Sequence, residues 1–272
     1  MPFLRLKLRD PYLKLLCYSK KRQLTSQLKL LNDLREEESY LLIILDACRY
    51  DILNEVANDY FDVEVRPVYG ASRNTFDWGR QVWPEEYDVR YVSGAPPVNS
   101  EPREDRTDDD KRVLYEGYVP SEHLKNIRDA WHDVWEEDKG IPPEEITQIA
   151  LEDIDVKPLV VHYYQPHLPF LGEKDPESVL SKDMVEGKNT IDLDIWEMAK
   201  KGKIEKAELT EMYESNLRRV LETAKTLVNL SDHDKVVITA DHGEALGEYG
   251  VYGHPKHIDH PKVREVPWVE IR

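Results

Sequence analysis

Short apolar runs of strand length alternate with helical patterns along this chain, and that alternation restricts its fold more than any other feature. The clearest run is Tyr40-Leu-Leu-Ile-Ile-Leu-Asp46, preceded by the charged Glu36–Glu38 and followed by a polar turn. A run without polar alternation suits a strand buried on both faces, as in a parallel sheet covered by helices. Similar runs recur at Val63–Val68, Val89–Val92, Leu159–Tyr164 and Val236–Thr239. Before the last of them, Leu209, Tyr213, Leu217, Val220, Leu221, Ala224, Leu227 and Val228 share one helical face. The expected fold is α/β, with a largely parallel central sheet and helices on both faces.

A chain of 272 residues is long enough for one large domain with a short appendage. The appendage is read as residues 1–36 and the main α/β body as residues 37–272. Residues 94–111, rich in Pro and charge, read as a solvated loop. Residues 171–206 surround a short apolar helix expected at Ile191–Ala199 and could form a lid. The longest apolar run, near Leu41–Leu45, falls far short of the roughly 20 residues a membrane-spanning helix needs.

Charge divides the chain. Residues 1–30 carry eight Lys/Arg and one Asp, a net of +7, whereas the remainder carries −24. The acidic body argues against nucleic acid as a partner, because that affinity comes mainly from neutralised phosphates. In the basic head, Leu24, Leu28, Leu31 and Leu34 recur at helical spacing. They suit a helix packed on the body, or an amphipathic helix making peripheral contact with an anionic membrane. Two cysteines, Cys17 and Cys48, exclude a disulfide framework and a four-cysteine zinc site. With no secretory signal pattern, the expected location is cytoplasmic.

In open α/β sheets, ligands bind beyond the carboxyl ends of the strands. Asp46 follows LLIIL, Asp241 and His242 follow VVITA, and His162 and His167 lie in or just after LVVHYYQPH. Carboxylates and imidazoles at such positions can converge on one divalent cation, whether zinc, manganese, magnesium or calcium. The segment after VVITA also holds Gly243, Gly247, Gly250 and Gly253, which suit a loop shaped over a site.

These segments carry a resemblance. ADHGEALGEYGVYGHP is similar to the C-terminal metal-binding motif of the sulfatase-like branch of the alkaline phosphatase superfamily. ILDACRYDIL resembles that branch's N-terminal strand and turn, HYYQPHLPF its central histidine motif, and REVPWVEIR its arginine–proline–tryptophan stretch. The matches follow the family's order from Leu41 to Arg272.

The resemblance implies transfer or hydrolysis of a sulfate or phosphate ester by a metal-activated nucleophile. It makes Asp46, Asp241 and His242 metal ligands, with His162 a candidate ligand of a second metal. It sets His167 and His254 against the substrate's oxygens. The Cys/Ser-x-Pro-x-Arg pattern of formylglycine sulfatases is absent, so the nucleophile is sought in GASRNTFDW, with Thr75 first and Ser72 second. Both hydroxyls could instead cap the helix expected from Phe76.

The expected substrate is a small-molecule or glycan ester. Two alternatives stand beside this reading: a catalytically silent relative binding an anionic glycan or partner, and a membrane-surface transferase of the phosphoglycerol type. His257 and His260 lie near enough to His254 in sequence to enter the site. Cys48 reads as a small buried residue. Trp131 and Trp135, four apart, are expected on one buried helix face.

Overall fold

The computed structural model describes residues 2–103, 117–135, 140–181 and 194–272. An eight-stranded sheet runs through the molecule. Its strands are β1 (Thr25–Ser26), β2 (Tyr40–Asp46), β3 (Arg66–Tyr69), β4 (Tyr87–Ser93), β5 (Leu124–Arg128), β6 (Leu159–Pro166), β7 (Lys235–Thr239) and β10 (Glu265–Glu270). Two further strands, β8 (Ala245–Leu246) and β9 (Tyr252–Gly253), pair with each other as a small antiparallel ribbon. Among the described residues, the helices of seven or more residues are α1 (Pro2–Gln23), α2 (Gln27–Arg35), α3 (Tyr50–Val56), α4 (Thr75–Val82), α5 (Pro143–Glu152) and α6 (Lys206–Leu230).

The strand order is β1-β3-β10-β7-β2-β6-β4-β5, and only β10 runs antiparallel to its neighbours. This is the expected largely parallel sheet. Every residue of β2 is buried, so its five central aliphatic side chains each contribute about 1.5–3 kcal/mol of burial. Helices cover both faces: α3, α5 and α6 form one contacting group, and α2 and α4 another. All eight apolar positions expected on the long helix are buried in α6.

Some elements differ from the sequence reading. The run Val63–Val68 enters the sheet only at Arg66, because Val63–Val65 form an irregular approach to β3. Leu24 does not continue the leucine face: the chain breaks there, Thr25–Ser26 pair with Val68–Tyr69 as β1, and α2 begins at Gln27. Leu31 and Leu34 do pack into the main core. Helix α1 instead sets Leu13 and Leu16 against Ala245, Val251, Ile258 and Val263 of the C-terminal loop. Trp135 is 49% exposed, since the short helix carrying Trp131 ends at Val134 and turns Trp135 outward in an extended conformation. The expected solvated loop lies outside the described residues from 104 onward, as do residues 182–193 of the expected lid. From the apolar helix placed there, the described part is Ile195–Lys200. No helix among the described residues is long and apolar enough to cross a membrane.

Candidate metal centre and active site

Strands β7, β2 and β6 are adjacent and parallel, so their carboxyl ends deliver side chains to one place. Asp46 closes β2, His162 lies in β6, and Asp241 and His242 follow β7. One ligand atom each from Asp46, His162 and Asp241 lie within 4.8 Å of one another. His242 Nε2 stands 3.5 Å from Asp46 Oδ1 and 3.5 Å from Asp241 Oδ2. His162 Nε2 stands 4.0 Å from Asp241 Oδ2.

The other end of each of these side chains is already fixed. Asp241 Oδ1 accepts hydrogen bonds from the backbone N–H of Ala47 (3.1 Å) and of His242 (2.8 Å). His242 Nδ1 donates to the Gly243 carbonyl at 2.9 Å, which leaves Nε2 as a bare lone pair. His162 Nδ1 is hydrogen-bonded to the Tyr91 hydroxyl at 2.8 Å. Four inward atoms remain, Asp46 Oδ1, His162 Nε2, Asp241 Oδ2 and His242 Nε2. All four are buried and have no hydrogen-bond partner. A folded protein leaves few such atoms, because each costs about 1–3 kcal/mol. Two carboxylate oxygens and two imidazole nitrogens, pre-oriented from behind, fit a divalent cation, and this mixed oxygen and nitrogen set suits zinc or manganese.

Electrostatics agree with that fit. Burial, then the charges of Asp241 and Glu244, raise the Asp46 pKa well above the usual carboxylate range. Burial pushes His162 down to about 4 and holds His242 well below its ordinary value. Both imidazoles are therefore neutral near pH 7, the form that ligates a metal.

The segment between β3 and α4 brings a hydroxyl to this cluster. Asn74, not Ser72 or Thr75, caps α4, its side chain accepting from the Asp77 N–H at 2.9 Å. Thr75 Oγ1 is thereby free to donate to Asp46 Oδ2, at 3.4 Å. Ser72 Oγ instead donates to Asp77 Oδ2 at 2.9 Å.

Across the cluster lies a second group of ligand-type side chains, His167, Glu244 and His254, again with one donor atom each within 4.8 Å. His254 Nδ1 meets Glu244 Oε1 at 2.9 Å, and the His254 ring lies 4.2 Å from that of His242 and 5.3 Å from that of His167. Burial opposes protonation of His254, but Glu244 outweighs it and the net shift is upward. His167 is shifted downward by burial and by His254. The group could hold a second cation or present N–H donors to substrate oxygens.

Several supporting residues carry no signal in the sequence. Glu244 is fully enclosed, with Oε2 unpartnered. Its place depends on the loop turning at Gly243, where an added Cβ would lie 2.2 Å from the Lys262 carbonyl oxygen. Gln27 is buried and joins two parts of the site. Its amide donates to Thr239 Oγ1 (3.0 Å) and the Ala240 carbonyl (2.6 Å), while its oxygen accepts from the Ala71 N–H (2.9 Å) and Trp78 Nε1 (3.3 Å). Ala47 holds a φ of 60°. Tyr213 pins this turn, donating to the Ala47 carbonyl at 2.7 Å and accepting from the Arg49 N–H at 2.9 Å.

The remaining candidates lie apart. His257 is exposed, and His260 caps the short helix Pro261–Arg264 by accepting from the Lys262 N–H at 3.2 Å. Cys48 is a free, fully buried thiol.

No protein-family model matches this sequence, and no curated protein matches it. Solved structures do. The soluble domain of lipooligosaccharide phosphoethanolamine transferase A from Neisseria meningitidis aligns with a TM-score of 0.50 at 14% identity, over 85% of this chain and 75% of that one. The integral membrane form of that transferase gives a TM-score of 0.52 at 16% identity over 85% of this chain. The alignment spans 47% of its length, about half. The phosphonate monoester hydrolase of Agrobacterium radiobacter aligns at 0.44 and 14% identity, over 86% of this chain and 68% of that one. With its parallel strands, single antiparallel β10 and ligand-type side chains at the strand ends, the chain has the alkaline phosphatase/sulfatase-like fold.

Proposed function

We propose that this chain is a metal-dependent enzyme that transfers or hydrolyses phosphate esters, with Thr75 as its nucleophile. The observation that carries the reading is the convergence of four orphaned, buried ligand atoms beside the Thr75 hydroxyl. Asp46, His162, Asp241 and His242 would hold the cation. When bound, it would supply positive charge that favours ionisation of a nearby hydroxyl and polarises the ester.

The chain's own groups account for the rest. Thr75 Oγ1 forms a bond to phosphorus as the bond to the leaving oxygen breaks in line. Its proton has an acceptor in Asp46 Oδ2, 3.4 Å away. With Nδ1 held by Glu244, His254 is set to protonate the leaving oxygen through Nε2. His167 lines the same side and can donate to the equatorial oxygens. Water or an alcohol then attacks phosphorus, releases Thr75 and completes hydrolysis or transfer. Phosphate is preferred over sulfate because no formylglycine pattern exists in the sequence, and a neighbour with the same fold is a phosphoethanolamine transferase. The enzyme in this reading works in the cytoplasm, where two free, buried cysteines are at home.

The test is a turnover screen of aryl phosphates, phosphodiesters, phosphonates and sulfates, each with zinc, manganese, magnesium and calcium. Phosphate or phosphonate ester turnover that a chelator abolishes and one metal restores is the expected result. Metal binding without turnover of any ester would replace this reading by that of a silent relative. His254→Ala is expected to lower kcat by about 10²–10³, the range for losing one acid–base or electrostatic group, with metal content unchanged. Metal loss in that variant would make His254 a ligand instead.

A further inference from the structure

Helix α1 is apolar on two opposite sides, and only one of them is covered by the protein. Leu13 and Cys17 face inward and are at most 1% exposed. On the outer side, Tyr12, Leu15 and Tyr18 are 48%, 63% and 57% exposed. Their spacing of three residues lines them along the helix. Tyr249 of the C-terminal loop, 51% exposed, extends the patch, its ring 5.7 Å from that of Tyr12. A helix apolar on both sides normally has both sides covered.

The surroundings of the patch identify what covers it. Lys14, Lys21 and Arg22 are exposed beside it and form no ion pair among the described residues. Arg22 also reaches over Tyr18, 5.7 Å from its ring centroid. The first 30 residues carry a net +7 on a chain whose remainder carries −24. Tyrosines with an apolar ring and a polar tip, flanked by long basic side chains, match the boundary between lipid headgroups and acyl chains. The four exposed side chains offer roughly 500 Å², short of the roughly 800 Å² per partner that a stable protein interface buries.

We propose that the outer face of α1 docks this protein on an anionic lipid bilayer, with Tyr12, Leu15 and Tyr18 entering the headgroup layer and Lys14, Lys21 and Arg22 meeting its charge. The same helix packs, through its inner face, on the loop that carries His254. The docking itself does not depend on the reaction proposed above.

Flotation of the full chain with vesicles tests the proposal. The protein is expected to float with phosphatidylcholine–phosphatidylglycerol vesicles and not with phosphatidylcholine alone, and to release as salt rises. Lys14→Gln/Lys21→Gln/Arg22→Gln should weaken binding by about fivefold per charge, roughly a hundredfold in all. Tyr12→Ser/Leu15→Ser/Tyr18→Ser should weaken it comparably while the melting temperature stays near that of the unmodified protein, since these side chains pack on little. No flotation, equal flotation with neutral vesicles, or unchanged binding by both triple variants would overturn the proposal. So would light scattering that shows a dimer converted to monomer by the apolar variant in a chain that does not bind vesicles, because the face would then join two copies.

Discussion

Thr75→Ala is expected to lower turnover by at least about 10³-fold, as loss of a covalent nucleophile does, while the protein stays folded and binds its metal within a few-fold of normal. The fold should survive because the hydroxyl makes one long hydrogen bond, 3.4 Å to Asp46 Oδ2, worth about 1 kcal/mol. Asn74 continues to cap α4 in the variant. Thr75→Ser keeps the hydroxyl and should retain measurable turnover. Ser72→Ala is the control, because its hydroxyl is committed to Asp77 at 2.9 Å. Removing it should cost about 1 kcal/mol of stability and change turnover by less than about tenfold, since less than 1.4 kcal/mol of barrier is involved. A substrate that turns over slowly should leave one phosphoryl group on the Thr75 peptide, visible by mass spectrometry. Full activity in Thr75→Ala together with a dead Ser72→Ala would reverse the assignment. Full activity in both would remove the covalent mechanism.

What could be read from the sequence was whatever depends on local periodicity. The uninterrupted run of β2 and the apolar face of α6 are set by residues close together in the chain, and both formed where expected. Asp46, His162, Asp241 and His242 could be singled out because they sit in or directly after strands, and parallel strands deliver their carboxyl ends to one side of the sheet. Residues whose position follows from tertiary contact could not be singled out. Gln27 is an ordinary polar residue after a helix break until its four partners, from two distant segments, surround it. Glu244 looks like any acid in a glycine-rich loop until the ribbon of β8 and β9 folds the chain back and sets His254 against it. Trp135 illustrates the converse: its spacing from Trp131 suits one helix face, but the helix stops one residue short of it.

Asp241→Asn is expected to stabilise the metal-free protein and to abolish its stabilisation by metal, a pair of opposite effects that a purely structural aspartate would not produce. In the metal-free protein Asp46 and Asp241 are buried side by side, and Asp46 resists ionisation because of burial and its acidic neighbours. A raised carboxylate pKa means the folded state holds a proton that the unfolded state has released. This group's contribution therefore falls as pH climbs from its unfolded value through the folded one. Near pH 7.5 the penalty is present, and His162, with its pKa near 4, is neutral in folded and unfolded chains alike. Asparagine has the same shape. Its oxygen can keep the hydrogen bonds from the Ala47 and His242 N–H groups, and its amide N–H₂ would replace Oδ2, 3.5 Å from the bare His242 Nε2. The substitution removes the acidic group buried beside Asp46 and gives an orphaned acceptor a donor. A gain of about 1–3 kcal/mol in chelator is expected, or several degrees of melting temperature at about 2–4 °C per kcal/mol for a chain of this size. Metal at a hundred times its Kd should add about 2.7 kcal/mol to the unmodified protein and almost nothing to the variant, which has exchanged an anionic ligand for an amide. Melting curves with chelator and with each divalent metal decide the matter. A variant that melts lower than the unmodified protein in chelator would show that Asp241 serves the fold through its charge, and an unmodified protein indifferent to every metal would show that the four orphaned atoms do not form a cation site.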